Sequence, residues 1–453
     1  MSKRNFTLLI IVLLIVIIAV LGFLYFNQST INTTGNNSGS TNFFSQFNPF
    51  TSSKKTTPPV VTPPVNVSGY QPPVVENVKL KEVSSMPIAG YTVFGLERLK
   101  AVPVATATPT PDLTTPPLTK KTKITKTPAP LTEIVSALRY ATRATGNIYE
   151  TFADTITEKQ YTSTIIPKVY DAYFGNNGNG VVMRYLQANG ETIETFLGNL
   201  QKEVFSANTN ANTNVPSELK GSLLANNIES ISVSPDNGSV FYLFNTGNSD
   251  TVGTILSLAT GKKAQIFDSP FNEWTSFWPN SKMITLTTKP ASSVGGYMYA
   301  MDQNGKNFDQ ILGNINGLTT ETSPSGKLVL YADNNLTLSI YNTGTNTTTL
   351  MGVKTLPEKC VWGSGSDVIY CAVPKSLDGN QPYPDAWYQG EISFSDAIWK
   401  IDAKTGNATE LVDPAAIGTG EDIDGIKLML DNSGNYLFFV NKKDSYLWEF
   451  NLK

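Results

Sequence analysis

Short apolar runs separated by turn-forming residues recur along most of the 453-residue chain. In one example, Ile231–Val233 alternates apolar and polar positions, residues 234–238 read Ser-Pro-Asp-Asn-Gly, and Ser239–Phe244 is almost continuously apolar. Alternation is typical of a strand buried on one face, and a short continuous apolar run is typical of a strand buried on both. The pattern therefore predicts antiparallel strands joined by tight turns.

The same unit recurs about every 40 to 45 residues, a spacing typical of repeat architectures. Each copy is followed by a hairpin, as in Thr254–Leu258 and Lys263–Phe267, which gives four strands per unit. Five copies are clear: Ile231–Phe244, Trp274–Thr287, Thr319–Tyr331, Lys359–Ala372 and Gly425–Val440.

Two further units complete the count. A sixth spans Lys168–Leu200. The seventh combines four segments, Ile88–Phe94, Val135–Ala144, Ile148–Phe152 and Gln160–Ile166. The last unit along the chain has three strands, so we expect Val78–Ser84 to supply its fourth strand and close a ring, which removes exposed strand edges. The pattern predicts an all-β, seven-bladed β-propeller; six or eight blades, or two β-sandwiches, are the alternatives.

The turns Ser-Pro-Asp-Asn-Gly at 234–238 and Ser-Pro-Ser-Gly at 323–326 resemble those of WD40-like, TolB-type propeller repeats. The resemblance extends from roughly Glu76 to Lys453. The Gly-His and Trp-Asp signatures of true WD40 blades are absent from the sequence. The resemblance therefore implies a fold and no particular partner.

Phe6–Phe26 is an uncharged, almost wholly apolar run, long enough as a helix to cross a hydrocarbon core of roughly 30 Å. Lys3 and Arg4 precede it, and the next basic residue is Lys54, which predicts a cytoplasmic N-terminus. The run is longer than the apolar part of a cleaved signal peptide. We predict a single-pass, uncleaved anchor that holds the propeller outside the cytoplasm; the alternative is a buried core helix.

These patterns divide the chain into five parts. We expect a cytoplasmic stub (1–5), the transmembrane helix (6–26), a disordered linker rich in Pro, Thr and Ser (27–73), and the propeller (74–453) with a disordered insertion (101–130).

Composition narrows the chemistry. Charged residues make up 16% of the chain and the net charge is −3, which argues against nucleic acid as a partner. The chain has no His, which excludes Ser-His-Asp and Cys-His catalysis and His-based zinc sites. Carboxylate, Tyr and Lys chemistry stays open.

Cys360 and Cys371 flank a predicted strand-turn-strand, so the two side chains can face each other on neighbouring strands. A disulfide is the favoured prediction, since the expected location permits one. Two reduced core thiols, or a metal pair, are the alternatives.

The Val373–Phe394 insertion carries the predicted binding surface. In a propeller, the connections between blades and those between second and third strands share one face, and the insertions Asn208–Asn226 and Pro290–Gly296 also fall there. Exposed aromatic residues are common interface anchors, so we predict a binding patch at Tyr383, Trp387, Tyr388 and Asp385. Alternatively, these rings pack the loop onto its own blade.

Glu421, Asp422 and Asp424 resemble the beginning of a calcium loop. An EF-hand would need a bidentate Glu where this chain has Ser433, so an acidic solvated turn is the favoured interpretation and a calcium site the alternative. No other cofactor is predicted.

Together these features predict a non-enzymatic interaction scaffold that binds an envelope protein, peptide or glycan. The alternative is an envelope hydrolase or lyase with carboxylates at the propeller channel. A third possibility is a structural part of a larger envelope assembly. An enzyme should show convergent channel carboxylates with perturbed pKa values, whereas a binding module should show an exposed aromatic patch.

Overall fold

Seven antiparallel sheets of four strands contain every strand in the described part of the chain. The structure is a computed structural model that describes residues 79–100, 132–201, 216–247, 250–417 and 420–453. The sheets are the blades of a propeller, and the first strands of the blades line a central channel. The prediction of an all-β, seven-bladed propeller is confirmed.

The strands follow chain order within each blade, except in the last. Blade 1 contains β2 (Ile88–Leu99), β3 (Thr132–Thr142), β4 (Ile148–Phe152) and β5 (Lys159–Gln160). Blade 2 contains β6 (Val169–Gly175), β7 (Gly180–Leu186), β8 (Ile193–Asn199) and β9 (Lys220–Leu223). Blade 3 contains β10 (Ile228–Val233), β11 (Ser239–Asn245), β12 (Thr251–Ser257) and β13 (Lys263–Ser269). Blade 4 contains β14 (Trp274–Asn280), β15 (Met283–Thr288), β16 (Gly295–Met301) and β17 (Asp309–Asn316).

Blade 5 contains β18 (Thr319–Thr322), β19 (Leu328–Ala332), β20 (Thr337–Asn342) and β21 (Thr347–Lys354). Blade 6 contains β22 (Cys360–Trp362), β23 (Val368–Pro374), β24 (Asp396–Asp402) and β25 (Ala408–Val412). Blade 7 contains β26 (Gly425–Leu430), β27 (Tyr436–Asn441), β28 (Leu447–Asn451) and β1 (Leu80–Glu82). Two short helical segments occur in blade 6, the 3-10 helix Pro357–Lys359 and the single-turn helix α1 (Asp385–Tyr388).

The ring is closed by strands from both ends of the propeller sequence. Leu80 lies opposite Phe450 and Glu82 opposite Trp448 in the antiparallel pair of β1 with β28. Beyond the strand, the Val83 amide donates to the Leu447 carbonyl at 2.7 Å. The predicted closing role of Val78–Ser84 is confirmed.

Two predicted boundaries were wrong. The fourth strand of blade 2, β9, lies within Asn208–Asn226, which we expected to be a connection between blades. All four residues of β9 are exposed, so no apolar pattern marks this outer strand. The fourth strand of blade 1 is Lys159–Gln160, because Thr162 leaves the sheet to bridge Ser217.

The apolar core lies in the seams between blades. Val182 and Leu197 of blade 2, for example, pack with Ile231, Val240 and Leu256 of blade 3. A blade between two seams is buried on both faces, which explains why the second strand of each repeat is almost continuously apolar. Cys360 and Cys371 lie opposite each other in β22 and β23 and form the predicted disulfide.

One glycine permits close packing of the first strands of blades 1 and 2. A Cβ atom at Gly90 of β2 would lie 1.9 Å from the carbonyl oxygen of Ala172 in β6, so no larger residue fits without a backbone shift.

The repeated turn owes its shape to its side chains. The Asp236 carboxylate accepts hydrogen bonds from the Ser234 hydroxyl at 2.5 Å and the Gly238 amide at 3.0 Å, and Asn237 adopts a left-handed φ of 56°. Asp and Asn are the residues that form such local bonds and tolerate this conformation.

The predicted stub, transmembrane helix, linker and 101–130 insertion lie outside the described residues. Within the described ranges, no helix combines the length and hydropathy that a membrane crossing requires.

Candidate functional site

The predicted binding loop folds back onto the propeller. Tyr383 and Trp387 are 5% and 4% exposed, and they pack with Leu336, Leu356 and Phe394. Tyr388, by contrast, is 43% exposed. The expectation of an exposed three-ring patch was therefore wrong for two of its rings, because the apolar side chains of the loop bury one another. We call the segment Lys375–Ser395 the roof.

Three buried charges hold the roof in place. The Lys359 ammonium is fully buried, lies 2.8 Å from an Asp396 oxygen and contacts Asp424. The Asp424 carboxylate also accepts hydrogen bonds from the Trp387 indole at 2.9 Å and the Phe394 amide at 3.0 Å. We call Lys359, Asp396 and Asp424 the latch, because the same carboxylate binds both the blade lysine and the roof.

The latch aspartates have opposite pKa shifts. Burial raises the pKa of Asp396 to about 6, since it outweighs the attraction of Lys359. Burial also acts to raise the pKa of Asp424, but the Lys359 charge and the hydrogen bonds from the roof outweigh it and hold that pKa below its usual range.

Asp385, predicted to bind a ligand, instead joins loops of different blades. Its carboxylate accepts hydrogen bonds from the Ser292 amide at 3.1 Å and the Ser292 hydroxyl at 2.8 Å, in the blade 4 loop. Asn334 of blade 5 donates to the Ser292 carbonyl at 3.0 Å. Lys442 of blade 7 donates to the Trp387 carbonyl and lies 3.8 Å from the centre of its ring system. The roof is thus tied to blades 4 and 7.

The three acidic residues considered for calcium do not converge. Asp424 belongs to the latch, and Asp422 pairs with Lys443, while Glu421 is exposed. Two of the three carboxylates are thus paired with lysine ammonium groups. Across the described residues, no group of three or more Asp, Glu, Cys or His side chains is arranged to hold a metal ion.

The central channel encloses a cavity of about 520 Å³ with two carboxyl groups on one wall. Glu321 extends from β18, and Glu358, in the 3-10 helix, accepts a hydrogen bond of 2.7 Å from the Tyr388 hydroxyl of the roof. Glu358 is exposed and Glu321 is half-buried, but the surrounding blades displace much of the solvent around both carboxyls. This burial raises the pKa of Glu358 to about 7. Burial, and secondarily the charge of Glu358, raises the pKa of Glu321 well above its usual value.

The opposite wall is electrostatically balanced. Lys427 of blade 7 contacts Asp171 of blade 2 at 2.6 Å and the Ala89 carbonyl of blade 1 at 2.8 Å. Arg184 pairs with the same aspartate. Burial acts to raise the pKa of Asp171, but the two cations outweigh it and lower that pKa to about 2. On one wall of the channel the charges are therefore paired. On the other wall, Glu321 and Glu358 have no ion-pair partner among the described residues.

A second cavity, of about 770 Å³, lies in the outer seam between blades 3 and 4. Phe271 is 70% exposed, Phe308 42% and Tyr297 37%. The Phe308 ring stacks on Tyr299 with 4.7 Å between centroids. Trp274 is buried at the base, where its indole N–H donates to the Ser269 hydroxyl at 3.1 Å. We call this cavity the aromatic groove.

Charged side chains border the aromatic groove. Asp268, Glu273 and Lys289 line it, and the Lys289 ammonium lies 2.8 Å from Glu273 and 3.1 Å from Glu229 of β10. The groove therefore combines exposed ring surfaces with carboxylate and ammonium groups that can bond to hydroxyls.

Sequence reasoning anticipated carboxylates at the channel without identifying Glu321 and Glu358, and it did not predict the aromatic groove. The groove residues come from three separate segments, the β13–β14 connection, the β15–β16 hairpin and the turn before β17. The sequence indicates an insertion at Pro290–Gly296, but the exposed Tyr297 follows it inside β16. A signal was present in Phe271, an aromatic residue in the polar stretch Ser269–Glu273.

No family model and no curated protein matches this sequence. Among solved structures, the chain is similar to oligogalacturonate lyase from Vibrio parahaemolyticus, with 9% identity, a TM-score of 0.45, and coverage of 70% of this chain and 86% of that one. An oligogalacturonate lyase in complex with manganese gives 10% identity, a TM-score of 0.46, and 70% and 85% coverage. Tricorn protease gives 12% identity and a TM-score of 0.34 over 67% of this chain and 27% of that one. Likeness at this level carries no argument about activity.

Proposed function

We propose that this chain is a membrane-anchored binding module that displays its propeller outside the cytoplasm and binds a glycan in the aromatic groove. The observation that carries the proposal is the exposure of Phe271, Tyr297 and Phe308 within one cavity. Exposed apolar patches bordered by polar groups are typical of interaction sites.

The chemistry of the groove favours a sugar chain over an apolar partner. A pyranose ring has an apolar C–H face that stacks on an aromatic ring, whose π face is electron-rich. Its hydroxyls project at the edges, where Asp268 and Glu273 can accept hydrogen bonds and Lys289 can donate them. A purely apolar ligand would remove water from these charged groups without offering hydrogen bonds in return.

The location rests on two features. The apolar run Phe6–Phe26, preceded by Lys3 and Arg4, supports a single-pass anchor with a cytoplasmic N-terminus. The Cys360–Cys371 disulfide supports an oxidising compartment for the propeller. On these grounds the ligand is a component of the cell exterior.

Affinity electrophoresis tests the proposal. Full-length protein in mild detergent is run through native gels that contain a panel of envelope and extracellular polysaccharides, and dissociation constants are measured for those that retard it. We expect Phe271→Ala and Tyr297→Ala each to weaken binding by about tenfold, as loss of an anchoring ring does at interfaces. Leu350→Ala, at a 65% exposed apolar residue of blade 5, is the matched control. Retardation that the groove variants leave unchanged would contradict the proposal.

A second candidate function is carboxyl-based hydrolysis or elimination in the channel. Glu358 favours it, because a pKa raised to about 7 suits a general acid near neutral pH, and Glu321 provides a second carboxyl on the same wall. The test is product formation from polysaccharides by the wild type, with loss of product in Glu358→Gln. Binding in the groove without product formation would remove this candidate and leave the first.

A further inference from the structure

We infer that the central channel is a second binding site, for a small organic cation that carries an ammonium group on an apolar stem. This site is separate from the aromatic groove, and the inference goes beyond the glycan binding proposed above.

The acidic wall supplies acceptors that the protein itself leaves open. Glu321 receives no hydrogen bond from any described residue, and Glu358 has the Tyr388 hydroxyl as its hydrogen-bond donor. On the same strand as Glu321, Thr319 lines the cavity, is 5% exposed, and its hydroxyl has no hydrogen-bond partner among the described residues. An unpartnered buried hydroxyl is costly, so a ligand that donates a hydrogen bond to it would gain free energy. An ammonium has three N–H donors, and this wall offers three acceptors for them.

The rest of the lining suits an apolar stem. Phe277 of β14 and Met429 of β26 are each 36% exposed, and both line the channel cavity together with Val93 and Val233. These side chains extend from first strands of different blades, so they surround the channel. A volume of about 520 Å³ is within the range of small-molecule pockets.

The cations near the channel are already paired. Lys427 contacts Asp171, which also pairs with Arg184, and Arg184 lies over the rings of Tyr170 and Tyr173. On the acidic side, Lys359 belongs to the latch, and Lys442 donates to the Trp387 carbonyl of the roof. Each of these charges has a protein partner. Lys359 and Lys442 act on Glu358 electrostatically, but no cation among the described residues forms an ion pair with Glu358 or Glu321.

The two carboxyls make binding pH-dependent. Burial raises the pKa of Glu358 to about 7, although the Tyr388 hydrogen bond and the charges of Lys359 and Lys442 act to lower it. Burial, and secondarily the charge of Glu358, raises the pKa of Glu321. A bound ammonium stabilises the ionised forms. Binding should therefore release protons, and affinity should rise as the pH rises from 6 to 8. Catalysis would instead require one carboxyl to stay protonated, so activity would rise and then fall as the pH increases.

Isothermal titration calorimetry on full-length protein in mild detergent tests this inference. The probe is phenethylamine, which stays charged over this pH range, and the matched uncharged probe is 2-phenylethanol. At pH 8 we expect the amine to bind at least tenfold more tightly than the alcohol, and its affinity to fall at pH 6. In two buffers with different ionisation enthalpies, the apparent binding enthalpies should differ by the heat of the released protons.

The double variant Glu321→Gln/Glu358→Gln should abolish the preference for the amine and the proton release, whereas Glu410→Gln, at an exposed residue of blade 6, should change neither. Equal affinity of the wild-type protein for the two probes would overturn the inference. This comparison needs no variant, so misfolding of a variant cannot affect it. Tyr297→Ala should leave amine binding intact. The test of the channel site is therefore independent of the test of glycan binding in the groove.

Discussion

The roof and the aromatic groove are both clusters of aromatic residues in connections of the propeller, yet one is locked and the other open. In the roof, Trp387 stacks on Phe394 and its indole donates to Asp424, which is bound to the buried Lys359. In the groove, Phe271 and Tyr297 are exposed, and charged groups line the edge instead of the centre. An aromatic cluster with a buried ionic partner stabilises the fold, whereas one without such a partner is available to a ligand.

Breaking the latch should have the largest effect on stability. Lys359→Met leaves Asp396 and Asp424 buried without a cation, and loss of one partner of a buried ion pair costs about 3–5 kcal/mol. Urea denaturation measures the loss. Lys400→Met, at an exposed lysine of β24, should change the free energy of unfolding very little. Equal small losses in the two variants would show that the latch does not hold the roof.

The disulfide of blade 6 should come next. Cys360 and Cys371 are 11 residues apart, and a cross-link that closes a loop of this length contributes about 2–3 kcal/mol by restricting the unfolded chain. We expect the Cys360→Ala/Cys371→Ala double variant to unfold at lower urea concentration by this amount. A reducing agent should shift wild type toward the variant and leave the variant unchanged; no shift of the wild type would contradict the cross-link.

The latch should also affect how stability depends on pH. Because the pKa of Asp396 rises from 3.8 when unfolded to about 6 when folded, the folded state binds more protons between these values. This group therefore contributes a loss of stability as the pH rises from about 4 to 6. Asp396→Asn removes the titrating group and leaves Lys359 paired with Asp424.

Urea unfolding of Asp396→Asn at several pH values checks this sign. Between about pH 4 and 6, the free energy of unfolding should fall less steeply with pH in the variant than in wild type. The difference in slope should be at most about 1.4 kcal/mol per pH unit, which is the contribution of one proton. Asp309→Asn, at an exposed residue of β17, is the control. A steeper fall in the Asp396 variant would contradict the assigned direction.

The repeat pattern predicted the seven blades, their closure and the cysteine pair, because burial of each blade on both faces leaves a clear apolar signal. It could not predict β9, whose four residues are exposed. It also could not predict that Tyr383 and Trp387 of the roof are buried. Whether Trp387 is buried depends on Lys359 and Asp424, which lie in other parts of the sequence, and no local pattern around 387 reports them.

The roof has a weaker tie whose loss should be local. Asp385→Ala removes the hydrogen bonds that Ser292 donates, and we expect a loss of about 1 kcal/mol, which is typical of such bonds. Hydrogen exchange should speed up in residues 386–392 and remain unchanged in blade 2. Exchange that speeds up throughout the propeller would show that Asp385 supports more than the roof.

Substitutions in the aromatic groove should have the smallest effect on stability. Tyr297 is 37% exposed, so Tyr297→Ala should alter the free energy of unfolding by no more than about 0.5 kcal/mol. Tyr383→Ala, at a 5% exposed ring of the roof, is the matched comparison and should cost about 3 kcal/mol or more. Similar losses for the two tyrosines would remove the distinction between locked and open clusters.

The most direct test compares ligand binding by the two aromatic regions. The polysaccharide that retards wild-type protein most strongly is titrated against Phe271→Ala/Tyr297→Ala in the groove and against Tyr388→Ala at the exposed ring of the roof. The groove variant should lose binding by at least tenfold while the Tyr388 variant binds as wild type does. Loss of binding in the Tyr388 variant, with the groove variant unaffected, would contradict the assignment and return the binding surface to the roof.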